Sequence, residues 1–240
     1  MKKSFGYAVF RRATASVRRK LTFLARPRLK NALLDASIEA RAPLSLYRAW
    51  MHGDQKTADR ICGHEFDLLG SGTINLGKNI DWQEDFKFKR QMTPQPDPKV
   101  PWELARFQFL LPLAAAYEVR REEKYAAAAK NLIHDFILKN PYGKGMHWKV
   151  PMEAAIRACQ FAVCRQLLRN SASWKDHAWE KTFLASILEH ATFISRNLEF
   201  GPYYSTNHLI ADYTGLLFIG TLFPEFRNAE KWRNQALNGL

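Results

Sequence analysis

The sequence predicts an all-α fold, an incomplete (α/α) toroid of helical hairpins, with short irregular or β segments near residues 64–98. Three observations carry this prediction. From Pro101 onward, apolar residues recur at spacings of three and four, with turn signals between the runs. Trp102, Met152 and Asn207 open equivalent helices 50 and 55 residues apart, which makes the hairpin a repeat. Between successive pairs lie loops rich in Gly, Pro and aromatic residues. A helix pair cannot bury its apolar face alone, so the pairs must lean on one another, in an open solenoid or curled into a toroid whose loops gather at one end.

Taken in order, residues 1–30 form a basic arm with ten Lys or Arg and no acid. Residues 31–98 lead in: one or two helices over 32–62, then Phe66, Leu68, Leu69, Ile74 and Leu76 broken by Gly70, Gly72 and Gly77, and a proline-rich passage at Pro94, Pro96 and Pro98. Residues 99–240 carry the hairpins. The first pair spans Pro101–Val119 and Glu122–Leu138, stopped by Asn140-Pro141 and the glycines that follow. The second spans Pro151–Arg169 and His177–Asn197, joined by a polar linker over 170–173 with a ready N-cap. The third starts near Asn207, breaks at Phe223-Pro224 and resumes over Glu225–Leu240.

Composition narrows the function. The 240 residues are 47% hydrophobic and 13% aromatic, ample for a packed core. The net charge of +13 invites a nucleic-acid partner, but outside residues 1–30 only 26 basic residues face 23 acidic ones, so the charge belongs to the arm and no nucleic acid is expected. The arm interleaves its cations with Phe5, Tyr7, Phe10, Leu21 and Phe23, a pattern suited to weak contact with an anionic membrane surface or to plain solvation. No export signal is evident, because no apolar run of seven follows the basic start. Three cysteines without CxxC spacing read as buried thiols, and seven scattered histidines offer no i, i+4 pair, so neither metal nor cofactor is expected.

The candidate site begins at Lys99–Gln108. Trp102 offers a flat apolar face for a pyranose ring, Arg106 a forked cation for a carboxylate or sulfate, and Glu103 and Gln108 polar contacts, all at a helix mouth entered through Pro101. Glu103 and Glu153 are the one carboxylate pair that a two-acid hydrolase could use. Asn207 follows Ser205 and Thr206, so locally it also reads as a simple N-cap, and Glu153 and Arg157, four apart on one helix, also read as a mutual ion pair.

Several ordered motifs together are more specific. Ile80-Asp81-Trp82, Val100-Pro101-Trp102-Glu103-Leu104 with Arg106, Asn140-Pro141, Trp148, Met152-Glu153-Ala154-Ala155-Ile156-Arg157, Asn207-His208-Leu209, Gly215, Gly220, Phe223-Pro224-Glu225 and Trp232 make the chain resemble the bacterial heparinase II/III-like polysaccharide lyases, with the related alginate and oligoalginate lyases, over residues 64–240. The resemblance implies an N-terminal α/α toroid followed by a large antiparallel β domain, cleavage of an acidic, uronate-containing glycan by β-elimination, and work in the periplasm or outside the cell. It makes Asn207 the donor that neutralises the uronate carboxylate and His208 a base or its positioning partner. His147, Trp148, Glu153 and Arg157 then shape the sugar cleft together with Trp102, Glu103, Arg106 and Gln108. His147 and Thr206 stand where the family often has Asn. The family's catalytic tyrosine and β domain would lie beyond Leu240, and Tyr203, Tyr204 and Tyr213 do not occupy that motif, so the resemblance fits a carbon–oxygen lyase that is incomplete as given, or a non-catalytic glycan-binding relative.

The chemistry explains the residue types. β-Elimination removes a proton α to a carboxylate, which is too weakly acidic while the carboxylate keeps its full charge. An amide or imidazole donor on its oxygens stabilises the enediolate, and a nearby base then takes the proton.

Overall fold

The computed structural model describes residues 54–69, 73–83, 99–201 and 207–240. The basic arm, most of the lead-in, the proline-rich passage and the stretch just before Asn207 lie outside the described residues.

Helix α1 (Gln55–Cys62) starts on Asp54, whose side chain accepts from the Lys56 amide, and leads into an antiparallel pair, β1 (Glu65–Asp67) and β2 (Thr73–Asn75), with Phe66 opposite Ile74. The Ile80-Asp81-Trp82 turn then pins itself to α4 (Glu123–Lys139): Trp82 Nε1 donates to Asp135 at 2.7 Å, and Lys139 Nζ donates to the Ile80 carbonyl at 2.9 Å.

The expected first helix is two. Helix α2 (Lys99–Ala105) stops, and α3 (Leu110–Arg120) begins after a turn in which Phe107 takes a left-handed φ of 62°. Pro112 accounts for the break, because in a continuous helix its ring would strike the Gln108 carbonyl, whereas near the start of α3 its missing N–H costs nothing. Left-handed backbone costs a non-glycine residue about 1–2 kcal/mol. Phe107 offsets this by burying its ring completely, stacked on Trp82 at 5.0 Å and edge-on to Phe136 and Phe161.

The later hairpins follow the expected bounds closely. Helix α5 (Pro151–Leu168) carries Pro151 in its first turn, and α6 (His177–Arg196) is capped by Asp176, which accepts from the Ala178 and Trp179 amides. The linker between them is anchored from outside: Glu123 takes the Ala172 and Ser173 amides at 2.9 and 3.1 Å. Helix α7 (Asn207–Leu222) and α8 (Ala229–Leu237) close the series, α8 being shorter than the span predicted.

The first helices of successive hairpins, α3, α5 and α7, pack against one another in sequence, and α4, α6 and α8 each pack against the helix they follow. This is the incomplete α/α toroid. Helix α5, at its centre, is buried on nearly every side. Its contact with α7 depends on small residues: a Cβ placed on Gly215 would lie 2.7 Å from Ala155 Cβ and 2.9 Å from Ala155 Cα. Gly220 meets the Ala229 carbonyl of α8 in the same way, at 2.6 Å.

Candidate functional site

The loops and helix mouths around the start of α5 gather the motif residues, and the structure divides them into a buried frame and a rim. Arg157 is the centre of the frame. It is fully buried, with Nε donating to His190 Nε2 at 2.9 Å and its two terminal nitrogens donating to the His147 carbonyl at 3.1 Å and the Ala105 carbonyl at 3.4 Å. Its guanidinium lies 4.7 Å from the Phe136 ring centroid and 5.4 Å from that of Trp148. Burial pulls its pKa down to about 9, with the charge of Glu153 acting against that fall, so it stays a cation at neutral pH. One guanidinium therefore ties the break after α2, the 140–150 loop and helix α6 to α5.

The two imidazoles beside it are held neutral. His190 accepts from Arg157 at Nε2 and donates from Nδ1 to the Ser186 carbonyl at 2.7 Å, and burial with the Arg157 charge drives its pKa well below the ordinary value. His147 is 1% exposed, its Nε2 donates to the Trp82 carbonyl at 2.6 Å, and its Nδ1 has no partner. Burial, then Arg157, pull its pKa down to about 4. Trp148 is equally enclosed, donating to the Asn140 carbonyl at 3.1 Å.

Three residues expected to line a sugar cleft, His147, Trp148 and Arg157, are therefore buried groups that brace the loops. The expected Glu153–Arg157 pairing is also corrected. Glu153 is buried and gives both oxygens to Arg106, which donates from Nε and one terminal nitrogen at 2.8 Å each, while the other terminal nitrogen meets Glu103 at 2.6 Å. Arg106, with a quarter of its side chain exposed, is occupied by two carboxylates, and its bonds to Glu153 raise its pKa. Its fork is turned inward and does not offer itself to an anion. The same geometry commits Glu103 and Glu153, the candidate hydrolytic pair, to hydrogen bonds with one guanidinium. Trp102, half-buried, donates to the Met146 carbonyl at 3.4 Å, and Gln108 is exposed.

The rim lies at the start of α7. Asn207 is exposed at the first turn, and His208 follows with 38% of its side chain exposed. His208 Nδ1 meets Glu199 Oε1 at 3.1 Å, and Glu199 Oε2 accepts from the Met152 amide in the first turn of α5 at 3.2 Å. The Glu199 backbone amide donates to Asp212 Oδ2 at 2.9 Å. Asp212 is fully buried, its Oδ1 has no partner, and its pKa is pushed up to about 7 by burial and further by the nearby Glu199 charge. Met152 and Glu153 are neighbours, so one turn of α5 joins the Glu199–His208 pair to the Glu153–Arg106–Glu103 network. Glu199 and Asp212 are absent from the sequence-derived set. Asp212 sits four residues after His208, one turn along the same helix, and that spacing was the signal available.

Among the described residues, no group of His, Cys, Asp and Glu could hold a metal ion, and no helix is long and apolar enough to cross a membrane. The cysteines there are free thiols, Cys164 buried and the others half-buried.

A family model described as Heparinase II/III N-terminus matches residues 17–240. The heparin-sulfate lyase of Pedobacter heparinus is 29% identical over 192 residues, which is 78% of this chain and 27% of that protein. The heparin-sulfate lyase of Bacteroides thetaiotaomicron is 32% identical over 136 residues, covering 55% and 19%. The crystal structure of heparan sulfate lyase HepC from Pedobacter heparinus superposes with a TM-score of 0.66 at 26% identity, over 95% of this chain and 33% of that one. The chain thus spans about a quarter to a third of the first of these relatives.

Proposed function

The chain belongs to the heparinase II/III N-terminus family, and from that premise we propose that it supplies the glycan-binding and carboxylate-neutralising part of a uronate-polysaccharide lyase. The substrate is an acidic glycan containing uronic acid, of the class named for the heparin-sulfate lyase relatives. Asn207 donates its amide to the uronate carboxylate, withdrawing charge so that the α proton becomes removable, and His208 beside it takes part in the proton transfer. Trp102 and Gln108 contribute to the sugar-facing rim, and Arg106, Glu103 and Glu153 hold that rim in shape. Residues 1–30 act as a basic arm that adds non-specific attraction to anionic surfaces.

The observation that carries this reading is the pairing of an exposed amide with a carboxylate-anchored imidazole at one helix mouth. The test compares binding of a heparan sulfate oligosaccharide to the chain and to Asn207→Ala by calorimetry, with absorbance of the unsaturated uronate product followed in parallel. Loss of one hydrogen bond to a charged group weakens binding about 10-fold or more. Equal affinity for both proteins, with no unsaturated product from either, would overturn the proposal. Binding lost only on removal of residues 1–30 would assign the interaction to the arm alone.

A further inference from the structure

The geometry points to Glu199 as a positioning residue that holds His208 in the tautomer protonated at Nδ1, which leaves Nε2 as the ring's acceptor nitrogen. This deepens the lyase reading and rests on it.

A neutral imidazole carries its proton on one ring nitrogen, and the hydrogen bond made by the other decides which. His208 Nδ1 lies 3.1 Å from Glu199 Oε1, and a carboxylate can only accept, so Nδ1 must be the donor. The lone pair then belongs to Nε2. Two contacts keep Glu199 in place for this. Its other oxygen accepts from the Met152 amide at 3.2 Å, and its own backbone amide donates to Asp212 Oδ2 at 2.9 Å. Asp212 is itself fully buried in α7, one turn beyond His208, so the anchor and the imidazole belong to one rigid helix.

The site requires a carboxylate and not merely an acceptor. Glu199 accepts at both oxygens, from an imidazole on one side and a helix amide on the other. Glutamine has one acceptor oxygen, so it can satisfy either Nδ1–H or the Met152 N–H, but must turn its NH₂ against the other donor. Aspartate is one methylene too short to reach both.

Nitrogen-15 correlation spectra of the imidazoles in the intact chain at alkaline pH test this directly. In the wild type the His208 signals are expected in the pattern of an Nδ1–H ring, and in Glu199→Ala, which removes the carboxylate acceptor, they shift toward the Nε2–H pattern. His190 is the internal control, because Arg157 and Ser186 fix it as Nδ1–H independently of Glu199, so its unchanged signals report an intact fold. A wild-type His208 found in the Nε2–H form overturns the inference without any variant, and so does a Glu199→Ala protein whose His208 pattern is unaltered. The readout needs no glycan. Failure of the lyase reading would leave the tautomer as stated, and failure of the tautomer would leave Asn207-dependent glycan binding untouched.

Discussion

Acid should destabilise this fold through His147, and the size of the effect follows from the structure. The ring is buried, Nε2 is committed to the Trp82 carbonyl, Nδ1 has no acceptor for a second proton, and the Arg157 cation is nearby. The folded state therefore binds a proton only near pH 4, whereas the unfolded chain binds it near the ordinary value of 6.5. With the folded pKa depressed, the unfolded state holds more protons between these values. Stability is complete above pH 6.5 and is lost progressively as pH falls toward 4. From pH 7 to 4.5 the linkage relation yields a loss of about 2.4 kcal/mol from this group alone. His190 acts with the same sign and Asp212 with the opposite one, since its raised pKa favours the folded state at low pH and loses that contribution as pH rises through about 7. The informative quantity is therefore a difference. His147→Gln keeps an N–H for the Trp82 carbonyl and cannot be protonated, while His190 and Asp212 remain in both proteins and cancel. Urea midpoints measured for both from pH 7 to 4.5 should converge or cross, the wild type falling further by about 1 M at an m-value of about 2–3 kcal/mol/M. Midpoints that fall in parallel would refute the assignment of His147 as a buried neutral ring.

Arg157→Lys retains the charge but not the three-way fork, so it should lower stability by about 2–4 kcal/mol in urea unfolding, and an unchanged midpoint would count against the frame described for it. Gly215→Val places methyl groups where Ala155 backbone already lies, and a thermal midpoint several degrees lower is expected, equal or higher midpoints contradicting the α5–α7 contact. Phe107 offers a test of sign. Its ring is fully buried and its φ is left-handed, so Phe107→Ala should cost about 3–5 kcal/mol while Phe107→Gly costs no more, glycine relieving strain that alanine keeps. A glycine variant clearly less stable than the alanine one would argue for an ordinary helix through this turn.

Much of the fold was legible before any coordinates. The starts at Pro151, His177 and Asn207 and the stops at Asn140 and Phe223 lie where Pro, Gly and local periodicity put them, because those signals act within a turn or two of chain. The break at Phe107 is also written locally, in Pro112, but the apolar pattern runs through it unbroken and masks the prolyl ring's clash. The site was less legible. A spacing of four licensed a Glu153–Arg157 pair, yet Glu153 reaches Arg106, 47 residues earlier. Motif membership could not separate residues that face a ligand from residues that hold the loops, and His147, Trp148 and Arg157 belong to the second group. Glu199 had no local signal, lying on the approach to α7 with its partners on α5 and α7.

The amino-acid order by itself determined that this chain is a series of helical hairpins, where most of them begin and end, and to which family it belongs, since periodicity, helix-breaking residues and ordered motifs are properties of neighbours along the chain. Which carboxylate answers which cation, which imidazoles are sealed neutral inside and which one meets solvent against a carboxylate were decided only by tertiary packing. Desolvation and hydrogen-bond partnership depend on groups brought together from distant segments, and no spacing along a single helix encodes them.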